Sequence, residues 1–94
     1  MTLLAKSFEF GERLNRAQGN FLNLDAEVGL TFAGIALQTR DSEKRERTRR
    51  VARKAYDTVL RLMNRVTFTK DDAQSLARNL LRLKYDLTML EETF

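Results

Sequence analysis

"TKDDAQSLARNLLRLKYDLTML", residues 69–90, decides the fold of this chain. Ala73, Leu76, Leu80, Leu83, Leu87, Leu90 and then Phe94 recur at alternating intervals of three and four. That spacing returns the side chain to one face of a helix and draws a seam for one or two neighbouring helices. Ala77 and Leu81 widen the stripe. The start is well marked. Thr69 is the N-cap, Asp72 stands at the capping-box position, and Asp71 adds negative charge at the positive end of the helix dipole. Phe68, one residue before the cap, can staple onto Ala73. The pattern predicts a helix over 70–92.

Two more helices follow from the same periodicity. The middle one is predicted over 42–66, with Thr48, Ala52, Ala55, Tyr56, Val59, Met63 and Val66 inward and Val51 and Leu62 at the edge. The first is predicted over 24–39, begun by Asn23 or Asp25. Its apolar residues cover more than half the helical wheel, too much for a single neighbour to hide. Ala26, Gly29, Ala33 and Ala36 form a stripe of small residues along it. Such a groove lets a second helix approach closely. An antiparallel hairpin turning near Arg40–Asp41 is expected to set Ala52 opposite Gly29 and Ala55 opposite Ala26.

The middle helix should outrun the first, about 37 Å against about 24 Å at 1.5 Å per residue. The tip of the middle–last hairpin, with Val59, Leu62, Met63, Val66, Phe68 and Leu76, then needs a cover. Residues 1–22 can supply it. Leu3, Phe10, Leu14, Ala17 and Phe21 keep helical spacing, and Gly19-Asn20 reads as a stop. A short helix over 3–16 folded across the tip is expected. The alternatives are a mobile tail and a tail packed on a second copy of the chain.

Composition fits one all-α domain, an antiparallel three-helix bundle with an N-terminal helix or arm. The chain has 94 residues, 43% of them hydrophobic, no proline and four glycines. That is enough apolar surface for one core and almost nothing that forbids helix. No cysteine is present, so disulfides and thiolate metal sites are excluded. The lack of histidine removes the commonest general base and metal ligand. No run of about 18 apolar residues offers a membrane span. Lys6, Glu9 and Glu12 interrupt any signal-peptide core, so the chain is read as cytoplasmic.

Nucleophile–base pairs and glycine-rich phosphate loops are missing. Asp71-Asp72 suits capping better than acid–base work, and Glu91-Glu92 falls at a fraying, solvated end. Four carboxylates in a bundle can hold two metal ions, but that arrangement needs Glu-x-x-His. No catalytic residue, metal or cofactor is therefore expected.

"ARKAYDTVLRL", residues 52–62, resembles the second helix of a tetratricopeptide repeat in Ala52, Tyr56 and Val59-Leu60. "GLTFA", residues 29–33, is similar to the small-residue patch of that repeat's first helix. The likeness covers about 40 of the 94 residues. The predicted hairpin is longer than the family's unit, no terminal proline follows it, and no second copy is present. The resemblance implies a helical hairpin that binds proteins or peptides.

"RDSEKRERTRR", residues 40–50, carries the charge. Residues 40–54 hold eight basic side chains against three acidic ones, so the rest of the chain is close to neutral. Glu43–Arg47 and Glu46–Arg50 are favourable i,i+4 pairs on the solvated face of a helix, which accounts for half of the pattern. The excess is the candidate site. Arg47, Arg50, Lys54 and Arg61 share an outward stripe bordered by Arg49 and Arg53, and Arg78 and Arg82 of the last helix join it if they flank the same groove. This surface suits an acidic protein or peptide. Nucleic acid is the alternative, although neither stacking aromatics nor helix-turn-helix spacing accompanies the ridge. A ligand-free enzyme subunit is a third reading. No membrane contact is expected, and the chain is monomer or homodimer.

Overall fold

The computed structural model describes the backbone of residues 3–94 and the side chains of residues 17–94. Three α-helices and no strand are present among the described residues: α1, Leu3–Gln38; α2, Ser42–Leu62; and α3, Lys70–Met89. A single 3-10 turn, Met63–Arg65, closes α2. The helices run up, down and up as an all-α bundle. α2 and α3 both pack on α1 and meet each other far less.

The small-residue stripe explains this arrangement. Ala26, Ala33 and Ala36 are fully buried, and Gly29 is buried with them. A Cβ on Gly29 would stand 2.8 Å from Leu83 Cδ2 and 3.2 Å from the Ala55 Cβ. Both partner helices therefore press on α1 at the same residue. α3 answers the small groove with leucines: Leu76, Leu80, Leu83 and Leu87 are all buried. Each contributes about 1.5–3 kcal/mol relative to exposure.

The hairpin register differs from the expected one. Gly29 faces Ala55, not Ala52. The reason lies in the connection. α1 ends at Gln38, and residues 39–41 carry the chain past that end before α2 begins. Arg45 accordingly reaches back, donating from Nη2 to the Thr39 carbonyl at 2.8 Å.

The predicted stop at Gly19-Asn20 is absent. α1 runs straight through it, and none of the described glycines has a positive φ. Gly19 serves close approach: a Cβ there would lie 3.2 Å from the Phe68 ring. Leu22, only 3% exposed, lines the neighbouring surface with Leu62 and Val66. Asn23 ties the same region to α3, its side-chain N–H donating to the Asp72 carbonyl at 3.2 Å. The tip of α2 and α3 is thus covered by the unbroken continuation of α1 and needs no separate helix there. The expected packing of Leu3, Phe10 and Leu14 lies outside the described side chains.

Two other expectations are corrected. Leu81 is 72% exposed and Ala77 is exposed too, so they do not widen the buried seam. α3 packs chiefly on α1 and meets α2 much less, so it keeps a narrow buried stripe. α3 also stops at Met89, short of the predicted end. Glu91 there has φ 70°, the Glu91 N–H bonds the Thr88 carbonyl, and the Glu92 N–H bonds the Leu87 carbonyl. This is a Schellman cap with a glutamate in the left-handed position usually held by glycine.

Candidate interaction surface

The basic segment starts α2 as its sequence predicts. Asp41 is the N-cap, and its carboxylate accepts from the Glu43 N–H at 3.0 Å and the Lys44 N–H at 3.3 Å. Thr48, 5% exposed, satisfies its buried hydroxyl on the Lys44 carbonyl at 2.7 Å. This face holds the start of α2 against α1 and leaves the opposite face to the charges.

Those charges fall into two sets. The first is internally neutralised. Glu46 pairs with Arg49 at 2.6 Å and with Arg50 at 3.0 Å. The hydrogen bond and charge of Arg49, reinforced by Arg50, hold the Glu46 carboxyl below its ordinary range, while partial desolvation opposes them. Glu46 in turn raises the Arg49 guanidinium. Arg53 pairs with Asp57 at 3.1 Å. Arg49 and Arg53 both also bind Glu92, the latter at 3.4 Å.

Glu92 is therefore not a solvated end. Its side chain is 16% exposed, and it anchors a C-terminal strap across α2. Arg53 donates to the Thr93 carbonyl at 2.7 Å and its guanidinium carbon sits 4.3 Å from the centroid of the Phe94 ring. Phe94 meets Tyr56 edge to face, with centroids 5.1 Å apart. Sequence reasoning missed this cluster. Its one legible signal was Phe94, which keeps the spacing of the α3 seam beyond the end of the helix.

The second set is free. Arg47, Lys54 and Arg61 are exposed and make no ion pair among the described residues, and Arg50 keeps 75% of its side chain in solvent. Arg50, Lys54 and Arg61 line a shallow groove with Thr58, Asp57 and the strap residue Glu92. Arg53 lies in the same groove but is committed to Asp57 and the strap.

Arg78 and Arg82 do not join this ridge. Lys84 Nζ lies 5.3 Å from the Phe94 ring centroid, so the side of α3 turned toward α2 carries Lys84. At about 100° per residue, Arg82 stands about 200° round the helix from Lys84 and Arg78 about 120°. The predicted Glu43–Arg47 pair is not formed among the described residues, whereas Glu46–Arg50 is.

Among the described residues, no group of three or more acidic, histidine or cysteine side chains is placed to hold a metal ion. No described helix is long and apolar enough to cross a membrane. Comparison with known proteins found no matching family, no similar curated protein and no similar solved structure.

Proposed function

We propose that this chain is a non-catalytic, cytoplasmic interaction module that takes an acidic protein or peptide on the outward ridge of α2. The observation that carries this reading is the division of the charges. The structural need for Arg49 and Arg53 is met by Glu46, Asp57 and Glu92. Arg47, Lys54 and Arg61 answer no such need, yet stand in one row, of which Lys54 and Arg61 line the groove. From Arg47 to Arg61 the row is about 21 Å long. An extended peptide of about six residues spans that length. The tetratricopeptide-like pattern of residues 52–62 points to the same class of partner.

The test changes Arg47, Arg50, Lys54 and Arg61 together to Gln, which removes four positive charges and keeps helix propensity. Wild type and variant are titrated with a poly-glutamate peptide, duplex DNA and RNA at two salt concentrations. Retained helicity with loss of peptide binding supports the reading. Equal peptide binding by both proteins refutes it. Preference for DNA, with the wild type's salt slope steeper by about 0.9 per phosphate contact, assigns the ridge to nucleic acid instead.

A further inference from the structure

α1 carries a second apolar seam that its own bundle leaves uncovered. The face turned to α2 and α3 is Leu22, Ala26, Gly29, Ala33 and Ala36. On another side of the helix, Phe21 is 62% exposed, Leu24 56% and Val28 40%, and Ile35 is half-buried. Those positions are spaced three, four and seven. In the sequence, Leu3, Phe10, Leu14 and Ala17 extend the same repeat toward the N-terminus, with Ser7 and Thr31 as its polar members. The helix is continuous from Leu3 to Gln38. The buried repeat, by contrast, meets Asn15 and Glu12 when it is extended the same way. The hairpin of α2 and α3 turns at residues 66–69 beside Gly19. A strict seven-residue repeat of this kind is the signature of a helix packed on a long partner helix.

We infer that α1 pairs antiparallel with α1 of a second copy, forming a two-fold homodimer whose centre lies at Ala17–Phe21. The seam is self-complementary in that alignment. Phe21 of one chain stands level with Ala17 of the other, a large residue against a small one. Leu14 stands level with Leu24, Val28 with Phe10, and Ile35 with Leu3. The two polar members, Ser7 and Thr31, fall in one layer. Along the outer flank, positions 13 and 27, an arginine and a glutamate, fall at neighbouring register positions of the two chains, opposite charges that a parallel alignment does not bring level. Two-fold symmetry then repeats every contact, so each favourable layer counts twice. The N-terminal turns of each α1 would lie along the exposed Val28 and the half-buried Ile35 of the other copy. The basic ridge on α2 plays no part in this pairing.

Sedimentation velocity of the full chain, up to millimolar concentration, reads the oligomeric state. A dimer is expected. Leu24→Arg changes an exposed residue, so helicity should be kept. Its dimer dissociation constant should rise by at least about a hundredfold, because two buried leucines are lost per dimer. Orientation is read with single cysteines, which the chain otherwise lacks. Asn20→Cys lies close to its own mate in the antiparallel dimer and should be joined by a short bismaleimide. Leu24→Cys lies about 15 Å along the axis from its mate and should not be. A wild type that stays monomeric overturns the inference. So does a dimer that Leu24→Arg leaves intact, or one in which Leu24→Cys is joined and Asn20→Cys is not.

Discussion

Gly29 and Gly34 sit five residues apart in the same helix and have opposite roles. At Gly29 a methyl group would meet Leu83 and Ala55 at 2.8 and 3.2 Å, while at Gly34 nothing lies within 4 Å. Removing a helical glycine gains up to about 1 kcal/mol in either place. At Gly29 the collision opposes that gain with an overpacking cost of about 1–3 kcal/mol. Gly34→Ala is expected to raise the melting temperature and Gly29→Ala to lower it, both read by thermal denaturation. Glu91 offers a third residue-scale case. It holds φ 70° at the end of α3. A side chain in that region costs about 1–2 kcal/mol, so Glu91→Gly should stabilise the chain by about 1 kcal/mol in urea titration. Loss of stability in that variant would show that the Glu91 side chain does more than fill the cap.

Among the elements, α2 shows how one helix combines a buried face, a charge lattice and a free ridge. Glu46 is the hinge of the lattice, since it accepts from both Arg49 and Arg50. Its carboxyl is held below the ordinary value of 4.5, chiefly by the Arg49 hydrogen bond. A carboxyl depressed on folding binds fewer protons in the native state than in the unfolded one. Its stabilising contribution is therefore full above the ordinary value and disappears as pH falls through the depressed one. Glu46→Gln should lower stability at neutral pH and make no difference in strong acid. Denaturant titrations of the two proteins across that range check it. A constant difference between them at all pH values would mean that the pair contributes no ionic stabilisation. Glu46 pairs locally, at i,i+3 and i,i+4, and half of this was legible from the sequence as Glu46–Arg50. The Glu92 bond to Arg49 and Arg53 was not legible, because it joins residues some forty apart and depends on where α3 ends.

At the scale of the whole molecule, the sequence by itself determined the helical class, the small-residue stripe of α1, the leucine seam of α3, the cap at Thr69, and the location of the positive charge. These follow from spacing and local hydrogen bonding, which act within a turn or two of the chain. The break at Gly19, the Ala52–Gly29 register and the grouping of Arg78 and Arg82 with the ridge were decided otherwise, and only in three dimensions. A glycine reads the same in sequence whether it ends a helix or lets Phe68 approach one. Periodicity places a residue on a face but does not say which neighbour meets that face. Since α2 and α3 both lean on α1, they have little surface in common. Arg78 and Arg82 are turned from the α2 ridge, and the apolar face of Leu81 is turned outward. The length of α1 was set in the same way. Its residues permit a turn at Gly19-Asn20, but burial of Gly19 against Phe68 is available only if the helix continues, and that tertiary contact selects the unbroken rod.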